Sequence, residues 1–268
     1  MYLVILFWIF VALLMIFLST LFIVGIFLLI KGIQRKMLGL SCLGIGFILI
    51  PIGFVGNFIL NIESGYLFQE IFVNIGFILA VIFTNKTFHK NRKSPVKLIL
   101  IVVIVLAIIQ QIFYGMIAIE RTPFLYYLQA IFDLPYVFLV FDWLAWSSYS
   151  AFKIIKNLDI EPWIKVRYRL ISILSFVMSF HSIPEFFQPY NTPWGAPSNL
   201  ISLVVFGTTA VLTVIFSVGL LLAWLMPNWL KDKLNKDYEP KEDIVFSEED
   251  LMTLIRKQLS ERRNNGNN

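Results

Sequence analysis

Residues 124–152 read FLYYLQAIFDLPYVFLVFDWLAWSSYSAF. A membrane-crossing helix needs about 20 largely apolar residues, so this run is long enough to span a bilayer. It also carries Asp133 and Asp142, and a charge at membrane depth is costly unless it is neutralised, paired or hydrated. Their spacing puts the two carboxylates on opposite sides of a helix, roughly 13 Å apart along its axis. We therefore expect this segment to be a central helix with the other helices packed around it.

The composition is that of a membrane protein. Of 268 residues, 58% are hydrophobic and 15% are charged, whereas soluble domains have about 45–50% and 25%. The net charge of +5 comes from basic residues between apolar runs, a pattern that favours membrane orientation over nucleic-acid binding. The single cysteine, Cys42, excludes an intramolecular disulfide, and with two histidines the sequence predicts neither a metal site nor a cofactor.

Seven apolar runs are long enough to cross a membrane. The first has no basic leader and is too long for a signal peptide, so we expect it to remain as a span. Thr122 and Pro123 form a helix-start signal before the fifth. Glycines in the second run indicate either close helix packing or the general abundance of glycine in membrane helices. The sequence predicts an all-α integral membrane bundle of seven transmembrane helices over residues 1–230, with spans at 3–30, 37–60, 67–85, 98–118, 124–152, 170–188 and 199–226.

The basic residues predict an orientation. The connections after spans 1, 3 and 5 carry thirteen Lys or Arg, whereas those after spans 2, 4 and 6 carry only Arg121. Because Lys and Arg concentrate in cytoplasmic loops, we expect a multi-pass protein of the cell membrane with its N-terminus outside and its C-terminus in the cytoplasm.

Residues 231–268 are expected to form a cytoplasmic tail. A capping-box-like start at Ser247 precedes Leu251, Leu254, Ile255 and Leu259, whose spacing predicts an amphipathic helix over about 247–261. So short a helix needs a surface, which could be the membrane, the loops or a cytoplasmic signalling protein. The last residues, RRNNGNN, are expected to be disordered.

Polar residues within the spans are concentrated in the predicted outer half. Three pairs lie four residues apart and would share a helical face: Glu70 with Asn74, Gln129 with Asp133, and His181 with Glu185. We expect these six residues to line an outward-facing cavity between spans 3, 5 and 6 that binds a small polar or cationic ligand, or protons. The alternative is that they reach the headgroups or bridge helices. Asp142, the ionisable group of the inner half, is a candidate second polar site.

The sequence lacks zinc-protease, serine-hydrolase and P-loop motifs, and the seventh span lacks the lysine of an opsin. In topology alone the chain resembles seven-helix receptors and the seven-helix input regions of some microbial sensor kinases. The polar outer half, the carboxylates of span 5 and the short tail helix favour a receptor or sensor, with no catalytic residues assigned, that signals through a separate cytoplasmic partner. The alternatives are a secondary transporter or proton-coupled carrier using Asp133 and Asp142, a structural or assembly protein, and, least favoured, an intramembrane enzyme acting on lipid.

Overall fold

The computed structural model describes residues 2–60, 65–89, 95–236, 238, 253–255 and 257, and the side chains of 58–60 and 65 are not included. Within these ranges the regular structure is helical. The elements are α1 Tyr2–Gln34, α2 Leu38–Leu60, α3 Gly65–Phe88, α4 Val96–Ile119, α5 Pro123–Ile155, α6 Pro162–Ser179, a 3₁₀ helix Phe180–Phe187, α7 Leu200–Leu225 and α8 Asn228–Leu234.

Seven helices of the described chain are long and apolar enough to cross a membrane, with α6 and the 3₁₀ helix counted as one. The expected number of spans is therefore confirmed by length and composition. Short connections alternate between two ends of the bundle, which we name the Tyr2 end and the Leu225 end after the start of α1 and the end of α7.

Polar caps start two of the spans. The Thr122 side chain accepts a hydrogen bond from the backbone N–H of Leu125 at 3.3 Å, and Pro123 occupies the first turn of α5. The Asn199 side chain accepts one from Ser202 at 3.0 Å at the start of α7. These bonds satisfy backbone donors that have no partner inside the helix. The start signal expected for the fifth span is thus present.

Six helices form a closed ring, in the order α1, α2, α3, α5, α6, α7 and back to α1. Helix α4 lies outside the ring, where it packs on α3 and α5 and is the least buried of the seven spans. The expectation that α5 would be central is therefore wrong. Its polar groups do face two directions, but they meet the ring's interior on one side and helix α6 on the other.

Glycines bring α2 close to both of its neighbours. A Cβ atom at Gly44 would lie 2.5 Å from the backbone nitrogen of Leu29 in α1. One at Gly46 would lie 2.9 Å from the carbonyl oxygen of Gly76 in α3. Of the two interpretations of the glycine-rich second span, the structure favours close packing, because side chains at these positions would push the backbones apart.

The sixth span differs from its expected bounds of 170–188. It begins at Pro162, so Lys165, Arg167 and Arg169 lie in α6 rather than in a loop. Arg167 is only 8% exposed, and its guanidinium lies over the rings of Trp163 and Trp224, 4.6 and 5.6 Å from their centroids. These cation–π contacts stabilise the charged side chain within the helix at the Leu225 end.

The amphipathic helix expected over about 247–261 of the tail lies largely outside the described residues. The described part, 253–255 and 257, is helical, and Ile255 is completely buried in the hydrophobic core cluster. Helix α8, which crosses the expected domain boundary at residue 230, was not predicted.

Candidate functional site

The ring encloses a cavity of about 390 Å³ that reaches towards the Tyr2 end. On α3 its lining extends from Tyr66 to Ala80, which corresponds to roughly 21 Å along the helix. All six residues singled out from the sequence line it: Glu70, Asn74, Gln129, Asp133, His181 and Glu185. Their function in ligand binding remains a prediction, but the fold does bring the three pairs to one place.

The lining comes from more helices than the expected spans 3, 5 and 6. Helices α1 and α2 contribute only apolar side chains, and α7 contributes Thr209, Ala210, Thr213 and Phe216. Arg121, in the exposed connection between α4 and α5, lies at the Tyr2 end of the cavity. Helices from the whole ring therefore contribute to the site, because each helix of a closed ring has one side that faces the interior.

Two of the six residues also join helices. The side-chain amide of Asn74 in α3 donates to Oε1 of Gln111 in α4 at 3.2 Å. That of Gln129 in α5 donates to Oε1 of Gln110 at 3.1 Å and to the hydroxyl of Tyr114 at 2.9 Å, both in α4. These bonds hold α4 against the ring and fix the two side chains at the cavity wall.

The three carboxyl groups have a different environment. Glu70, Asp133 and Glu185 lie close enough together for a charge on one to affect the others. No Lys or Arg of the described residues forms an ion pair with any of the three. Glu70 accepts a hydrogen bond from the side-chain amide of Gln69 at 3.3 Å. The cation at the cavity wall, Arg121, lies 5.3 Å over the ring of Tyr126. The cavity is thus acidic without a matching internal cation.

His181 and Glu185 lie in the 3₁₀ helix, not in an α-helix. With about three residues per turn, positions four apart no longer share one face, so the expected geometry of this pair is wrong although both side chains line the cavity. Pro184 lacks the N–H that would continue an α-helical ladder. Nδ1 of His181 lies 2.8 Å from the carbonyl oxygen of Met178 and must donate to it, which leaves Nε2 as the acceptor of a neutral ring.

Aromatic rings close the cavity at its deep end. Phe141 packs edge-on against Phe77 and Phe216 with centroids 5.2 and 5.5 Å apart, and Tyr136 lies 5.7 Å from Phe77. Asp142 is not part of the lining, since it lies beside Ser179 of α6. The candidate second polar site is therefore separate from the first, on the side of α5 that faces α6.

The sequence analysis missed the tyrosines of the site. Tyr66, Tyr114, Tyr126 and Tyr136 all line the cavity, and the rings of Tyr66 and Tyr114 meet edge-on at 5.2 Å. A signal was available in the spacing: Tyr66 lies four residues before Glu70, and Tyr136 three after Asp133, so each shares a helical face with a predicted site residue.

Metal binding has no support in the geometry. Among the residues whose positions are described, no three His, Cys, Asp or Glu side chains are grouped closely enough to hold a metal ion. The three carboxyl groups of the cavity come from three different elements, α3, α5 and the 3₁₀ helix.

Comparisons with protein-family models, curated proteins and solved structures gave no match for this chain.

Proposed function

We propose that this protein is a receptor or sensor of the cell membrane that binds a small ligand in its central cavity and signals through a separate cytoplasmic protein. The observation that carries the proposal is the convergence of three carboxyl groups from three elements on one cavity, with no described cation to pair them. Buried charge without a partner is costly to a membrane protein and is typical of functional sites.

The proposed orientation puts the Tyr2 end, and with it the polar part of the cavity, outside the cell. Its support is the distribution of basic residues in the sequence. Arg121 is the one Lys or Arg in the connections at the Tyr2 end, whereas thirteen Lys or Arg lie towards the Leu225 end. A ligand would then enter from the exterior, past Arg121 and Tyr126.

A route for the signal runs through the deep end of the cavity. Phe141 of α5 contacts His181 of the 3₁₀ helix, at 5.8 Å, and Phe216 of α7. A ligand bound to His181 or Glu185 would act on the ring of Phe141, which links the 3₁₀ helix to Phe216 of α7. Movement of those helices would reach the Leu225 end, where the tail helix expected at 247–261 is the proposed contact for the signalling partner.

The native Cys42 provides a reporter for this proposal. It is the only cysteine of the chain, lies near the start of α2 at the Leu225 end, and is half-buried. We would attach bimane to Cys42 in nanodiscs and apply a panel of small organic cations, anions and neutral compounds. We expect at least one class to change the emission, and the double variant Asp133→Asn/Glu185→Gln to lose that response.

The matched control is Glu120→Gln, which removes a carboxylate at the same end from an exposed position outside the cavity. It should respond like the wild type. If no compound changes the emission, or if the double variant responds like the control, the receptor proposal is wrong.

The transporter alternative requires a path that includes both Asp133 and Asp142. Asp142 lies outside the cavity lining, and the rings of Phe77, Phe141 and Phe216 stand at the deep end between the cavity and the Leu225 half. We therefore favour a receptor. Substrate flux in proteoliposomes that disappears in Asp142→Asn would favour transport instead.

A further inference from the structure

We infer that the ligand of this cavity is an organic ammonium carrying a single apolar ring or chain. The inference rests on the proposed function, because it names the chemical class that the proposed receptor binds. Four features of the cavity support it: its charge, its aromatic residues, its division into two sides, and its buried polar groups without partners.

The carboxyl groups of the wall favour a cation. Glu70, Asp133 and Glu185 face one space, and the cation nearest the entrance, Arg121, is engaged with the ring of Tyr126. An anionic ligand would meet three carboxyl groups, whereas an ammonium could pair with carboxyl groups that have no cationic partner among the described residues.

The tyrosines add a second contribution to cation binding. Tyr66, Tyr114 and Tyr136 all lie within electrostatic range of Glu70. The perpendicular rings of Tyr66 and Tyr114 form a corner beside that carboxyl group, at 82° to each other. Ring faces attract ammonium groups, and alkylated ammonium ions in particular are bound by several aromatic rings at once.

The opposite side of the cavity is apolar. All carboxyl groups belong to α3, α5 and the 3₁₀ helix, whereas α1 and α2 present only hydrophobic side chains, namely Leu14, Phe17, Leu21, Phe47, Ile50 and Phe54. A bare ammonium ion would leave that side empty. A ligand with an apolar body and a cationic head would cover both sides in one orientation.

Buried polar atoms point to an occupant as well. Tyr136 is 1% exposed and Thr209 is 6% exposed, and both line the cavity. Neither hydroxyl has a hydrogen-bond partner within the described ranges, and the same holds for Oε1 of Gln188, a third lining residue that is 1% exposed. Buried hydroxyl and amide groups are normally hydrogen-bonded, so a ligand or water molecule that reached these atoms would supply the partners they lack.

The volume limits the size of the ligand. About 390 Å³ lies in the lower part of the range for small-molecule sites, which is about 300–1,000 Å³. One ring or short chain with its head group fits this space, and a lipid with two acyl chains does not. The ligand class is therefore a soluble single-chain ammonium amphiphile.

The experiment is calorimetric titration of the full-length protein in a maltoside detergent, which carries no ammonium group. The probes are phenylbutyltrimethylammonium, phenylbutanol, phenylbutyrate and tetramethylammonium, which separate the effects of the charge and of the apolar body. We expect phenylbutyltrimethylammonium to bind saturably and about tenfold or more tightly than each of the others.

The single variants Glu70→Gln, Asp133→Asn and Glu185→Gln should each weaken that binding severalfold. Tyr66→Leu should weaken it as well, and the control Glu120→Gln should leave it unchanged. Equal or tighter binding of phenylbutanol or phenylbutyrate would overturn the ligand class while leaving a ligand-binding cavity, and so the proposed function, in place. Saturable binding by none of the four, or binding unaffected by the carboxyl variants, would also overturn the inference, and the Cys42 response then decides the proposed function separately.

Discussion

At the scale of single residues, the polar groups of the cavity divide into two kinds. Asn74 and Gln129 donate hydrogen bonds to α4 and hold it on the ring. Glu70, Asp133 and Glu185 lack a described cationic partner. Substitutions in the first kind should therefore affect stability, and substitutions in the second should affect binding.

Gln129→Leu should destabilise the protein. The change removes the donor to Oε1 of Gln110, which is fully buried, and leaves that oxygen without a hydrogen-bond donor. We expect a loss of about 1–3 kcal/mol in the free energy of unfolding, measured by denaturant titration in mixed micelles. The double variant Gln110→Leu/Gln129→Leu should recover part of the loss, since no amide of the pair remains unpaired. Additive losses would show that the pair is not coupled.

The sequence could identify the six polar residues because charge and amide groups are rare at membrane depth. The tyrosines were missed for a physical reason. An aromatic residue in a span can face lipid, the membrane interface or the interior, and only the tertiary arrangement decides which. Tyr66 and Tyr114 come from different helices, so their edge-on contact could not be read from either segment alone.

At the scale of helices, α2 is the element most sensitive to side-chain size. It packs closely on α1 through Gly25 and Gly44 and on α3 through Gly46 and Gly76. The apolar wall of the cavity depends on this arrangement, because Phe47 and Ile50 lie between these glycine contacts and the ligand space.

Gly46→Ala should destabilise the bundle by about 1–3 kcal/mol, because its Cβ would lie 2.9 Å from the backbone oxygen of Gly76. Gly115→Ala is the matched control, since no heavy atom lies within 4 Å of a Cβ at that position of α4. There the same substitution should be neutral or stabilising by about 0.5–1 kcal/mol. Equal thermal unfolding midpoints for the two variants would contradict the close packing of α2 and α3.

Hydropathy predicts helices well because each span must bury some 20 backbone units in lipid. Their ends are harder to predict. The sixth span was expected to start at residue 170 because three basic residues precede it. In the structure these residues belong to α6, where the guanidinium of Arg167 lies over the rings of Trp163 and Trp224. The change to a 3₁₀ helix at Phe180 also depends on packing around Pro184 that the sequence does not specify.

At the scale of the whole molecule, the ring of six helices determines the site. The two carboxylates of α5 were expected to require a central helix, yet Asp133 faces the cavity and Asp142 lies beside Ser179 of α6. A helix with polar groups on two opposite faces can also belong to a ring, where one face lines the cavity and the other packs on a neighbouring helix. Spacing along one helix could not distinguish these arrangements.

The proposed orientation can be tested in intact cells. In a Cys42→Ser background, Asn191→Cys places a thiol in an exposed position at the Tyr2 end, and Lys156→Cys places one at the Leu225 end. A membrane-impermeant maleimide added outside should label residue 191 and not residue 156, because the basic residues hold the Leu225 end in the cytoplasm. The reverse pattern would contradict the orientation.

The central claim is that the carboxyl groups form a ligand site and do not hold the bundle together. Its most direct test is the thermal unfolding midpoint of the ligand-free variant Glu70→Gln/Asp133→Asn/Glu185→Gln. Neutral isosteres keep the shape of the three side chains and leave no buried carboxyl group to ionise, so the account predicts a midpoint at or above that of the wild type. Glu120→Gln is the control and should not move it. A midpoint several degrees below the wild type would show that these groups are structural and would contradict the account.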